Sequence, residues 1–322
     1  MRRQQRDNFK RMYTLILMTI GCSGLAIIIF TLVIFYSAMD ANRRLTIAYQ
    51  PVSNKPASEE AFIKYGEELV NHTSRYLGPN GEIKSVSNGM NCTNCHLDGG
   101  RKMFGINYAG VAANYPKYRN RSGTVVTIKE RINECFQRSL NGTGLDSNDY
   151  ELKAMAAYII SIGKGVSRKT TPYGTGLKSL PFLSRLANSE KGENVYRDQC
   201  AQCHGSNGEG KRDGSGMEWK YPPLYGDHSY NIGAGLYRLS RFASFVKYNM
   251  PYGVTYENPV LTDEEAWDVA AFINSMPRPS KDISNDWPDI SKKPIDYPFG
   301  PYADKLTDEQ HKFGPWLISL SY

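Results

Sequence analysis

The chain has 322 residues and a formal charge of +7, from 39 Lys and Arg against 32 Asp and Glu. That length implies two domains with additions rather than one core. Much of the excess sits at the amino end, where Arg2, Arg3, Arg6, Lys10 and Arg11 face only Asp7; without these six, 34 bases stand against 31 acids. A nearly balanced remainder excludes nucleic-acid binding by bulk charge.

In chain order, residues 1–12 form a basic segment and residues 13–39 a predicted membrane anchor. Tyr13 to Met39 contains no charged residue and is rich in Leu, Ile, Val and Phe. This run is long enough to cross a hydrocarbon core of about 30 Å, and longer than the apolar part of a cleaved signal peptide. The basic flank predicts a single-pass inner-membrane protein with its N-terminus inside and the rest on the periplasmic side. Residues 40–57 read as a tether.

The first domain is predicted over 58–169. Ser58 caps a helix expected to reach about Tyr76, with Phe62, Leu69 and Val70 on its apolar face. The Gly-, Asn- and Ser-rich stretch from Leu77 to Asn91 reads as a loop. It leads into Cys92-Thr93-Asn94-Cys95-His96, a C-x-x-C-H run. Asp146 or Ser147 is expected to open a closing helix, with Leu152, Met155, Ala156, Ile159 and Ile162 on one stripe and Gly163 at its end.

After a linker at 170–187, the second domain over 188–279 repeats this plan. Asn188 starts a helix through Gly192 and Tyr196 into a second C-x-x-C-H run, Cys200-Ala201-Gln202-Cys203-His204. Thr262-Asp263-Glu264-Glu265 reads as a capping box, with Ala266, Val269, Ala270 and Ile273 as the buried stripe. Gly66 and Val70 correspond to Gly192 and Tyr196. The first domain has 26 residues from Gly66 to Cys92 where the second has 8 from Gly192 to Cys200, so it carries an 18-residue insertion. Residues 280–322, rich in Pro, Tyr and Trp, are expected to wrap over both domains without regular structure.

Each C-x-x-C-H run reads as a covalent c-type haem site, with two thioether links and one axial histidine. Two such runs in matched helical frames imply two haems; paired thiols alone would also suit zinc. The second axial position must come from elsewhere. Met250 lies 46 residues after His204 and 12 before Thr262, the natural slot for it. The matching slot in the first domain holds Cys135, at the centre of Ile128 to Leu145. A thiolate there would push electron density onto iron and leave a nucleophile beside an electron acceptor. The competing reading is a buried structural thiol. Met103 and His72 are alternatives for the first iron, and Lys247 for the second. His228 and His311 read as surface or packing residues. Around Cys135 lie Lys117, Arg119, Arg121, Lys129, Arg131 and Arg138 against Glu130 and Glu134. Arg101 and Lys102 lie near the first haem motif.

The run Tyr115-Pro-Lys-Tyr-Arg-Asn-Arg, followed by Arg131-Ile-Asn-Glu-Cys-Phe-Gln-Arg-Ser-Leu-Asn-Gly, resembles the dihaem thiosulfate dehydrogenases, which interconvert thiosulfate and tetrathionate. The resemblance spans roughly Ser58 to Pro277. It implies an all-α fold of two tandem class I cytochrome c domains behind the transmembrane helix. It also implies two covalently bound haem c groups: a catalytic one on Cys92, Cys95, His96 and Cys135, and a relay on Cys200, Cys203, His204 and Met250. Some members switch ligands through a lysine beside that methionine; here the neighbour is Asn249. Joining two thiosulfate dianions needs cations to offset their repulsion, and Arg119, Arg121 and Arg131 are the candidates. The expected electron partner is a c-type cytochrome or a membrane quinol system. A non-catalytic, membrane-tethered dihaem electron carrier is the alternative, and it leaves Cys135 and its arginines without a purpose.

Overall fold

The computed structural model describes residues 30–34 and 58–316, which belong to two units, residues 1–57 and residues 58–322. In the first unit, residues 30–34 are helical and Phe30, Leu32, Val33 and Ile34 are exposed. The rest of the predicted anchor over 13–39 lies outside the described residues. Among the described residues, no helix is long and apolar enough to cross a membrane.

The second unit is mostly helical. Ser58 accepts from the Ala61 amide at 3.2 Å and opens helix α1 (Glu59–Asn71). This helix buries Tyr65, Gly66, Leu69 and Val70. It stops at His72, short of Tyr76, and resumes as a separate turn over Thr73–Leu77. The break serves the first C-x-x-C-H run. The Thr73 hydroxyl donates to Leu69 O at 2.8 Å and accepts from the Cys92 amide at 3.1 Å. Beside it, Asn91 Oδ1 accepts from the Ser74 amide at 2.7 Å.

Helix α2 (Ile128–Arg138) carries Cys135 and starts on a Thr127/Glu130 capping box. Its Ile132 and Phe136 enter the core. Helix α3 (Tyr150–Ile162) closes the domain and ends at Gly163. Its N-cap is Asp149, later than Asp146 or Ser147, because Asp146 is used in a turn that accepts from the Asn148 amide at 2.8 Å.

The second domain builds the same frame from α4 (Ser189–Gln199), α5 (Leu239–Asn249) and α6 (Asp263–Ser275). Asn188 caps α4, and a Thr262/Glu265 capping box starts α6. In both domains the first helix crosses the closing helix at a glycine. A Cβ at Gly66 would lie 2.0 Å from Ala154 O, and one at Gly192 would lie 1.9 Å from Asp268 O. Only glycine lets the two backbones approach this closely. Two antiparallel two-stranded ribbons interrupt the helical plan: β1 (Lys117–Arg119) with β2 (Thr124–Val126), and β3 (Lys211–Arg212) with β4 (Trp219–Tyr221).

The insertion in the first domain is a bracket onto the second. Asn88 Nδ2 donates to His228 O and Ser229 O, each at 3.0 Å, and Ser74 Oγ donates to Met217 O at 2.8 Å. The C-terminal segment adds another strap. The Trp287 amide donates to Arg121 O at 2.7 Å in the first domain, while Trp316 enters the second core 5.4 Å from the Trp267 ring. This segment also holds a short helix, α7 (Asp308–Phe313), so it is not wholly irregular.

Candidate functional site

A cavity of about 190 Å³ in the first domain is lined by Cys92, Cys95, His96, Tyr108, Tyr115, Arg131 and Cys135. Thus the C-x-x-C-H run and the α2 cysteine, about 40 residues apart in sequence, open onto one space. His96 Nδ1 lies 2.6 Å from Ile106 O. Burial pushes His96 down to about 4, with Arg131 and Arg241 adding to the effect, so the ring is neutral. With Nδ1–H donating to the carbonyl, Nε2 keeps its lone pair for a metal.

The second cavity, about 430 Å³, is lined by Cys200, Cys203, His204, Leu224, Phe242, Phe245, Val246 and Met250, and is mainly apolar. His204 repeats the first histidine: Nδ1 lies 2.8 Å from Pro222 O, and burial lowers its basicity. Met250 is the residue that ends α5.

These residues fit haem c. Burial pushes the Cys92, Cys95 and Cys200 thiols up to about 12, so the surroundings favour neutral sulfur, as in a thioether, over the thiolates a zinc site needs. Each cavity combines the two sulfurs of a C-x-x-C-H run, an imidazole with a free Nε2 and one further sulfur. Cys95 lines both cavities, and Thr93 and Asn94 line the second. The two cofactor spaces therefore share a wall made from the first attachment run.

The alternative ligands are engaged elsewhere. His72 Nδ1 pairs with Glu218 Oε2 at 2.9 Å, and Lys247 Nζ lies 2.8 Å from Asp263 Oδ1 and also donates to Leu261 O. Met103 packs against Gly174 and is 40% exposed, outside the first cavity. His311 stacks on Tyr302, and His228 lies near the Trp219 ring.

The candidate cations divide in the same way. Arg131 faces Cys135, whose sulfur does most to hold the guanidinium charged, and donates to Glu134 Oε2 at 3.1 Å. Arg121 is largely buried, with Nη2 2.7 Å from Glu134 Oε2; the geometry is off-axis, so this is an ion pair without a hydrogen bond. Arg119 makes no hydrogen bond or ion pair from its side chain among the described residues. Arg101 and Lys102 are committed to the fold. Arg101 binds Glu67 at 2.7 Å and Tyr158 Oη, and Lys102 Nζ donates to Val254 O at 3.0 Å.

Residues 82–167 match the SoxA/TsdA cytochrome c domain family, and residues 189–277 match the cytochrome c family. A thiosulfate dehydrogenase from Psychrobacter arcticus is 36% identical over 77% of this chain and 73% of its own length. The chain belongs to the thiosulfate dehydrogenase family. Another thiosulfate dehydrogenase, from Allochromatium vinosum, is 39% identical over 60% of this chain and 72% of its own. The solved TsdBA thiosulfate dehydrogenase of Marichromatium purpuratum superposes with a TM-score of 0.64 at 30% identity. That match covers 77% of this chain and 51% of the TsdBA chain, so the present chain spans about half of it. This thiosulfate dehydrogenase-type cytochrome carries two covalently bound haem c groups, one in each cytochrome c domain.

Sequence reasoning missed Arg238 and Arg241 of the second domain, and the C-terminal carboxylates Asp286 and Asp296 that sit among the arginines. One signal was readable. Arg238 and Arg241 occupy the N-cap and first turn of α5, where the helix dipole disfavours cations.

Proposed function

We propose that this protein couples two thiosulfates into tetrathionate at the cavity shared by His96 and Cys135. The observation that carries this reading is that Cys135 and Arg131 face that same cavity. A nucleophilic sulfur, a cation and an electron acceptor are thereby within reach of one anion.

Haem c on Cys92, Cys95, His96 and Cys135 supplies one one-electron acceptor, and haem c on Cys200, Cys203, His204 and Met250 supplies the other. The remaining chemistry belongs to the side chains. Arg131 lines the cavity with Cys135 and orients the sulfonate of the first thiosulfate beside Sγ. A bond forms between Cys135 Sγ and the outer sulfur of that thiosulfate, releasing two electrons and leaving a cysteine S-thiosulfonate. A second thiosulfate attacks the outer sulfur. The Cys135 Sγ–S bond breaks, tetrathionate leaves and the Cys135 thiolate returns. Reversing these steps reduces tetrathionate. One favourable charge pair at about 4 Å is worth on the order of 4 kcal/mol at an effective dielectric of about 20, so several arginines suffice to assemble the anions.

Electrons pass to an external c-type cytochrome or membrane quinol system, and residues 13–39 tether the protein to the inner membrane with the haem domains on the periplasmic side. Turnover of thiosulfate with ferricyanide tests the reaction, and tetrathionate with a reduced dye tests its reverse. Absence of both in protein carrying two haems would refute the reading and favour a simple electron carrier. The tether has a separate test: a chain beginning at Asn42, exported on a substitute signal peptide, is expected to be soluble and fully active with artificial dyes.

A further inference from the structure

The segment that follows the first attachment run belongs to both cofactor sites. Residues 97–107 begin beside His96, and Leu97 and Asp98 line the second cavity together with Met250 and Pro251. The same segment ends at Ile106 and Asn107, which line the first cavity. Ile106 O lies 2.6 Å from His96 Nδ1 and so fixes the direction of that ring.

The middle of the segment grips the loop that bears Met250. Phe104 O accepts from Asn249 Nδ2 at 3.1 Å, just before that methionine. Lys102 Nζ donates to Val254 O at 3.0 Å, just after it. The Phe104 ring meets Tyr256 edge-on with 4.8 Å between centroids, and meets Tyr173 at 5.3 Å. The backbone between these contacts is strained. Phe104 and Ile106 have φ of 55° and 57°, left-handed values that a bulky or β-branched residue rarely adopts. Such a conformation persists only where the surroundings fix it. Here the linker does so: the Phe104 amide donates to Gly174 O at 2.7 Å, and the Ile106 amide to Gly176 O at 2.9 Å. Held from both sides, the segment is stiff, and a displacement at one end is carried to the other.

We propose that Phe104 is a positioning residue for the axial ligands of both haems. It acts on His96 through Ile106 O, and on Met250 through Asn249 and Tyr256. The ligand geometry of the second iron is thereby felt at the first, and the two midpoint potentials are set together. This rests on the His96 and Met250 ligation given above and is independent of the substrate.

The test compares Phe104→Ala, Phe104→Tyr and Tyr256→Ala in protein with both haems attached. None of these changes a charge, and Tyr256 belongs to the second domain. In fully oxidised protein both irons carry the same charge in every variant, so the spectra report ligand geometry. Phe104→Ala is expected to weaken the long-wavelength sulfur-to-iron charge-transfer band of the Met250 haem. It should also change the low-spin electron paramagnetic resonance signal of the first haem. Tyr256→Ala should change that first-haem signal too, from across the domain boundary. A looser His96 hydrogen bond makes the imidazole a poorer donor and should raise the first midpoint potential, while a looser methionine should lower the second. Phe104→Tyr keeps the ring and should restore both. A response confined to one haem, or no response, would overturn the proposal. If the unsubstituted protein lacks the methionine band, the ligand reading itself fails and this proposal falls with it.

Discussion

Asp286 grips Arg138 through two hydrogen bonds, of 2.6 and 2.8 Å, and so ties the C-terminal segment to the helix that carries Cys135. Arg138 lies one turn after Cys135 and also donates to Gly233 O of the second domain at 3.0 Å. One guanidinium thus joins α2, the second domain and the strap. Tyr297 Oη donates to the same carboxylate at 3.3 Å.

Asp286→Ala is expected to cost about 3 kcal/mol, because removing one partner strands a nearly buried cation. At this size that is on the order of a 6–12 °C fall in Tm. Both haems should stay attached, since no ligand is touched. Thermal unfolding followed by haem absorbance checks this, and an unchanged Tm would show that the strap is incidental.

Cys135→Met separates enzyme from carrier. Methionine can fill the position with a neutral sulfur, so both haems should be retained and the first midpoint potential should rise. Turnover of thiosulfate and tetrathionate should fall ~10³-fold or more, as expected on losing a nucleophile. Low-spin thiolate signals in electron paramagnetic resonance should vanish with it. Near-normal turnover would exclude the covalent route.

The two glycine crossings make a paired prediction. Gly66→Ala places a methyl group 2.0 Å from Ala154 O, and Gly192→Ala places one 1.9 Å from Asp268 O. Neither neighbour is a flexible side chain, so the helices must part, at a cost of about 1–3 kcal/mol. Each variant should lower Tm, and haem retention should suffer chiefly in its own domain. Haem-stained gels of the two proteolytically separated halves provide the measurement.

His72 and Glu218 join the two domains with a pH-dependent pair. The hydrogen bond to Glu218 raises the His72 pKa above its ordinary value, against the opposing effect of burial. A raised folded-state value means the contribution is complete below the unfolded value of about 6.5 and fades as pH climbs through the folded value. Wild type should therefore lose a small increment of Tm on going from mildly acidic to mildly alkaline buffer, and His72→Gln should flatten that step. An identical slope in both proteins would assign the pH dependence to other groups.

Much of the cofactor chemistry is local and so was legible in the chain. A C-x-x-C-H run carries its own geometry within five residues. The caps at Ser58, Asn188 and Thr262 follow from side-chain oxygens placed to accept the first free amides, and the apolar stripes on α1, α3 and α6 from helix periodicity. The Gly66 and Gly192 correspondence was likewise readable as a repeat. Helix ends were less so: α1 stops at His72 because Thr73 turns its hydroxyl to Cys92, a partner 19 residues on.

The composition of the catalytic pocket was decided only by tertiary structure. Sequence proximity nominated Arg101 and Lys102, yet Glu67 and Val254 O engage them. Leu236 and Tyr237 lie about a hundred residues from Cys135, yet the segment leading into α5 packs them on the first core. Whether a guanidinium is neutralised by a carboxylate or left for a substrate depends on distances of 3 to 4 Å between distant segments. Periodicity determines which face of a helix is buried; what meets the other face is settled only when the domains pack.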